Sequence, residues 1–101
     1  MNEDTSLSGQ SIALVLAESY LITMGFSRKW LIRQLEFEGC TAKEAIYAAD
    51  NCGADWKEQA ARVAKNYLNK MSLSIEKLIA QLAFQGFTEE EAIYGADAAC
   101  K

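Results

Sequence analysis

An all-α fold of six helices, arranged as two tandem three-helix repeats with helix-turn-helix-like units, is predicted by three observations. Displacing the chain by 47 residues lays Ala17–Asp50 on Ala64–Asp97 with roughly half of the positions identical, and a self-match at fixed period marks a repeated supersecondary unit. The shared residues are mostly apolar at spacings of three and four, the period of one helix face. The 101 residues contain no proline, so nothing interrupts such helices from within.

Taken in order, residues 1–10 are polar and read as an N-terminal linker, residues 11–53 as the first three-helix repeat, and residues 54–101 as the second. A first helix at about 11–24 carries Ala17, Tyr20, Leu21 and Met24. Ser27 precedes the periodic run Leu31, Ile32, Leu35 and fits an N-cap, where a hydroxyl accepts from an orphan backbone N–H. That second helix, about 28–38, stops at Gly39, which suits a left-handed residue just past a helix end. Thr41-Ala42-Lys43-Glu44 is a capping box and opens a third helix at about 42–52. Gly53 is then a stop and Asp55 an N-cap for the next helix.

The second repeat follows the same plan. A helix at about 56–71 holds Tyr67, Leu68 and Met71; Ser74 caps a helix at about 75–85 with Leu78, Ile79 and Leu82; Gly86 ends it. Thr88-Glu89-Glu90-Glu91 is a second capping box, opening a helix at about 89–99. Connections of a few residues force neighbouring helices to turn back on one another. The aromatic residues Tyr20, Trp30, Phe37, Tyr47, Trp56, Tyr67, Phe84, Phe87 and Tyr94 are expected to pack in the core and between repeats.

Composition narrows the function. Half of the residues are hydrophobic, enough for a real core, and no stretch approaches the length of a membrane span. The formal charge is −4 with a pI near 4.8. Such a surface repels phosphate and disfavours nucleic acid, and it favours a basic protein partner. Histidine is absent, which removes the commonest general base and metal ligand. No nucleophile with a base, no metal cluster and no paired buried carboxylates stand out, so the sequence points to a non-enzymatic binding module with no cofactor and no metal. Cys40, Cys52 and Cys100 lack C-x-x-C spacing and read as packed thiols, with a Cys52–Cys100 bridge left open.

Candidate partner-binding residues are acids outside the core and the capping boxes: Glu36, Glu38, Asp50, Glu89, Glu90 and Asp97. Taken singly, each also reads as an ordinary solvated charge or a helix-start acid complementing the dipole. Asp50 and Asp97 occupy the same repeat position near a helix end, where the dipole does not favour an acid. That position suits either a binding role or a bond to a nearby loop N–H.

The ordered string of motifs resembles a known family. Ala17-Glu18-Ser19-Tyr20-Leu21, Phe26-Ser27, Leu31-Ile32-Arg33-Gln34-Leu35, Phe37-Glu38-Gly39-Cys40-Thr41 and Glu44 through Trp56 run in sequence, and the second unit repeats them as Tyr67-Leu68, Leu78-Ile79-Ala80-Gln81-Leu82, Phe84-Gln85-Gly86-Phe87-Thr88 and Glu91 through Asp97. Over nearly the whole chain this is similar to the tandem-repeat domain of the host cell surface-exposed lipoproteins, the Ltp-like family that includes superinfection-exclusion lipoproteins of temperate phages. The resemblance implies a domain tethered outside the membrane by a lipid on an N-terminal cysteine, which blocks delivery of phage DNA by binding a tail or injection component.

As written, the chain carries no signal sequence and no cysteine before Cys40. Membrane attachment is therefore expected only through an N-terminal lipid anchor absent from this chain. The location is the outer face of the membrane if the chain is a trimmed form, and the cytoplasm otherwise. Two other readings remain at this level: an intracellular phage-encoded or regulatory inhibitor that binds protein, and a helix-turn-helix DNA-binding protein prompted by Arg28, Lys29 and Arg33 on one helix. The second repeat places Ile75, Glu76 and Ala80 there, which opposes the DNA-binding reading.

Overall fold

Ser8 sets the first helix, because its hydroxyl accepts from the Ser11 backbone N–H at 3.1 Å. The helix therefore takes in Gly9 and Gln10, which the sequence reading leaves in the polar segment. The computed structural model describes residues 8–101, and among them it is built of six helices with no strand. The rest of the expected linker, residues 1–7, lies outside the described residues. The helices are α1 (Gly9–Thr23), α2 (Arg28–Phe37), α3 (Ala42–Asn51), α4 (Trp56–Lys70), α5 (Ile75–Phe84) and α6 (Glu89–Ala99).

Each expected stop and start is built as the residue types dictate. Ser27 and Ser74 accept from the N–H of Trp30 and Lys77, and Asp55 accepts from those of Lys57 and Glu58. Thr41 with Glu44 and Thr88 with Glu91 form complete capping boxes. Gly39 (φ 107) and Gly86 (φ 100) end α2 and α5 in matching Schellman turns. In the first, the N–H of Cys40 bonds the Leu35 carbonyl and that of Gly39 bonds the Glu36 carbonyl; in the second, Phe87 and Gly86 repeat this on Leu82 and Ala83.

Packing follows the same period. α1 and α2 both pack on α3, and α4 and α5 both pack on α6, so each repeat closes around its third helix. The two cores match position for position at the 47-residue offset: Ala13/Ala60, Ala17/Ala64, Leu31/Leu78, Leu35/Leu82, Ala45/Ala92 and Ala49/Ala96 are all buried. Small residues let the helices approach closely, while each buried leucine supplies about 1.5–3 kcal/mol by leaving water. Trp56, the first residue of α4, packs against the first core beside Cys40 and Cys52.

The repeats meet end to end in a molecule of 55 × 20 × 19 Å. Their joint is polar and specific rather than a third core. The Arg62 guanidinium, on α4, donates to the carbonyls of Leu21 and Ile22 at the end of α1. Gln59 accepts from the Phe26 N–H at 3.2 Å, and the Ser27 hydroxyl donates to the Gln85 carbonyl at 2.7 Å. Gly25 faces Val63 so closely that a β-carbon there would lie 2.8 Å from its Cγ2.

Candidate functional site

All six acids singled out from the sequence are exposed, and four of them are engaged within the chain. Asp50 accepts from Arg28 Nε at 2.9 Å, a bond from the last turn of α3 to the first turn of α2 that holds its carboxyl below the usual carboxylate range. Asp97 pairs with Lys101 at 3.0 Å one turn away, and Glu90 pairs with Lys57 on α4 at 3.3 Å. Glu38 accepts the Tyr20 hydroxyl proton. Among the described residues neither Asp50 nor Asp97 takes a loop N–H. The shared repeat position binds a different cation in each repeat because Arg28 is replaced by Ile75.

Glu36 and Glu89 make no ion pair or side-chain hydrogen bond among the described residues. No hydrogen bond or ion pair among those residues links one of the six acids to another. Glu36 and Glu38 lie at the end of α2, Asp50 in the last turn of α3, Glu89 and Glu90 in the first turn of α6 and Asp97 toward its end, so the six are spread over three helices. Glu89 and Glu90 also complement the helix dipole, leaving Glu91 to the capping box. Exposed pairs of this kind contribute about 0–1 kcal/mol each; their charges remain on the surface for an incoming partner.

Several aromatic residues depart from the expected core. Phe37 is 85% exposed and Phe84, at the same repeat position, 75% exposed. The cause is helix phase: Phe37 lies two residues, about 200°, beyond the buried Leu35, and Phe84 stands likewise to Leu82. Trp30, Tyr47 and Tyr94 are also exposed, whereas Phe87 is buried and Tyr20 and Tyr67 are half-buried as expected. Trp30, Arg33, Gln34 and Phe37 line a groove of about 240 Å³ on α2.

A second groove, of about 260 Å³, runs along the joint between repeats, with Met24 and Met71 from equivalent positions beside Val63, Tyr67, Lys70 and Gln85. The sequence reading missed both grooves. The phase of Phe37 was a usable signal for the first, and nothing local announced the second.

The cysteines are free. Cys40 and Cys52 are partly buried against the first core, and burial pushes the Cys40 thiol above its ordinary value. Cys100 instead is exposed as the C-cap of α6, so it is not a packed thiol, and the bridge to Cys52 is not formed. Among the described residues no group of three or more Cys, Asp or Glu side chains converges to hold a metal ion, and no helix is long and apolar enough to cross a membrane.

The family described as host cell surface-exposed lipoprotein matches residues 8–52 and again residues 55–98. The chain belongs to the host cell surface-exposed lipoprotein family. A solved structure of Ltp, a superinfection exclusion protein from the Streptococcus thermophilus temperate phage TP-J34, is similar to it with a TM-score of 0.84 and 32% identity over 92% of this chain and 97% of that chain. No curated protein matches it.

In this member of the lipoprotein family the two matched segments coincide with the two helical repeats. The helix-turn-helix look of α2 and α3 is thus the repeat's own packing unit. Its basic residue Arg28 is already occupied by Asp50.

Proposed function

We propose that this protein is a non-enzymatic superinfection-exclusion module that blocks phage DNA injection by binding a basic component of the tail or injection machinery. The observation that carries this reading is the similarity to the exclusion protein Ltp at 32% identity over almost the full length of both chains. The family description supports display on the outer face of the host membrane. Binding rather than chemistry is favoured by the absence of histidine from the sequence.

The surface acids give the recognition its sign. Glu36 and Glu89 offer carboxylates with no ion pair among the described residues, and Glu38, Asp50, Glu90 and Asp97 exchange weak intramolecular partners for stronger ones on a basic surface. Acid charges of this kind steer association, and the rate falls as salt rises.

The test expresses the full chain in a phage-sensitive Gram-positive host, once lipid-anchored outside and once cytoplasmic, and measures phage adsorption and DNA injection separately. Blocked injection with normal adsorption in the anchored form alone supports the reading, and reversal of Glu36 and Glu89 to lysine weakens the block. Action by the cytoplasmic form alone, or injection unaffected across a phage panel, overturns it in favour of an intracellular inhibitor.

A further inference from the structure

We propose that the α2 face of the first repeat is a second docking surface, and that it takes a protein segment carrying carboxylates beside aromatic or aliphatic side chains. The groove is lined by Trp30, Arg33, Gln34 and Phe37, residues that share one side of the helix by their spacing of three and four. Phe37 at the end of α2 is 85% exposed, and the neighbouring indole of Trp30 is exposed as well. A phenylalanine left almost wholly in water beside a tryptophan that is 39% exposed, rimmed by polar residues, marks an interaction surface.

The charge beside this face selects the occupant. Although the chain as a whole is acidic, the first half of α2 is basic, with Arg28 held by Asp50 and with Lys29 and Arg33 exposed one turn apart. A basic segment is repelled at this end. A purely apolar one strips water from the Arg33 guanidinium without replacing it, whereas a carboxylate next to an apolar side chain satisfies the cation and covers the rings together. Tryptophan and arginine are the residue types that concentrate binding energy at interfaces.

The groove is held in shape by the rest of the fold. Gln34 Nε2 donates to the Tyr20 hydroxyl at 3.2 Å, and that hydroxyl is in turn fixed by Glu38. The Trp30 ring edge lies on Gly86 of the second repeat, where a β-carbon would come within 2.7 Å of Trp30 Cδ1. Only the first repeat has this combination, since Lys77 and Ala80 stand in place of Trp30 and Arg33. Glu36 and Glu38, two of the acids proposed to meet a basic partner, flank Phe37 at one end of this groove, whereas Glu89, Glu90 and Asp97 lie on α6, so the two readings are told apart through the α6 acids.

The test titrates the isotope-labelled full chain with two amidated peptides that share phenylalanine and leucine residues and differ only in carrying aspartates or lysines between them. The aspartate peptide is expected to shift the Trp30 indole N–H saturably at about millimolar concentration or below, and the lysine peptide to leave it unmoved. Phe37→Ala and Arg33→Gln, both at exposed positions that leave the joint intact, each weaken the aspartate peptide about tenfold, Arg33→Glu reverses the preference, and Phe84→Ala changes nothing. Equal response to both peptides, no response to either at millimolar concentration, or unaltered binding by Phe37→Ala and Arg33→Gln overturns the proposal. Reversal of Glu89 and Glu90, which lie on α6 away from the groove, is expected to leave peptide binding unchanged, and loss of peptide binding in that variant overturns the assignment to α2.

Discussion

The Ser27 hydroxyl accepts from the Trp30 N–H at 3.1 Å and donates at 2.7 Å to the carbonyl of Gln85, a residue 58 positions along the chain. One oxygen therefore caps α2 and also joins the first repeat to the turn that ends α5. Ser74 occupies the same repeat position and caps α5 at 3.2 Å, but it is exposed. Ser27 is 2% exposed. Replacing Ser27 with alanine is expected to cost about 2–3 kcal/mol, a lost cap plus a buried carbonyl left without its donor. Ser74→Ala is expected to cost about 1 kcal/mol. Urea unfolding of the two variants checks this, and equal costs would show that the bond to Gln85 adds nothing.

Arg62 acts at the same joint by covering two end carbonyls of α1, those of Leu21 and Ile22. A cation there also complements the helix dipole. Arg62→Met keeps most of the apolar stem and removes the donors, at an expected cost of about 1–2 kcal/mol. Arg62→Lys restores little, because one ammonium does not reproduce the guanidinium fork. Hydrogen exchange at the Phe26 amide, bonded to Gln59 across the joint, should accelerate in both variants; unchanged exchange there counts against a closed joint.

Gly95 touches α4 so closely that a β-carbon would lie 2.6 Å from the Ala60 carbonyl carbon and 2.7 Å from its Cβ. The equivalent residue in the first repeat is Ala48, itself fully buried against α1. Gly95→Ala is expected to destabilise by about 1–3 kcal/mol through overpacking, despite the better helix propensity of alanine. Ala48→Gly should cost about 1 kcal/mol from propensity alone. Thermal midpoints decide the matter, and a stabilised Gly95→Ala variant would mean that α4 and α6 separate at little cost.

Two phenols titrate late. Tyr94 donates to Glu58 at 2.7 Å and Tyr20 donates to Glu38, and the hydrogen bond to a carboxylate in each case raises the phenol above its usual range. A raised folded value means that each contact's contribution is complete below the unfolded phenol value of about 10 and is lost as pH climbs through the folded one. Asp50 runs the other way: Arg28 lowers its carboxyl, so that pairing is present above the unfolded carboxylate value of about 3.9 and is lost as pH falls through the folded one. Phenolate absorbance in an alkaline titration should show Glu58→Gln returning Tyr94 toward its ordinary value, and an unmoved titration curve rules out the Glu58 contact.

The acids chosen from the sequence were easy to find as exposed charges and hard to rank. Asp50 and Asp97 share a repeat position, yet their partners differ because Arg28 has no cationic counterpart in the second repeat. Phe37 reads as a core residue by size and apolarity, yet its phase relative to Leu31 and Leu35 points it outward. The lack of C-x-x-C spacing makes all three cysteines read as packed thiols, but the end of α6 leaves Cys100 in solvent.

By itself the sequence determined the six helices, their caps, their stops and the paired cores, because these depend on hydroxyls, carboxylates, glycines and apolar spacing within one or two turns of chain. It also determined the family, through the order of those motifs. Only the tertiary structure decided how the repeats meet and which repeated positions part company. Ser27, Gly25, Gln59 and Arg62 become joint residues through contacts that span 33 to 58 positions. Ser27 and Ser74 carry the same cap signal, a serine just ahead of a periodic apolar run, and that signal does not say which of them also reaches across the joint. The difference is tertiary: the turn that ends α5 brings the Gln85 carbonyl to Ser27, whereas Ser74 is exposed.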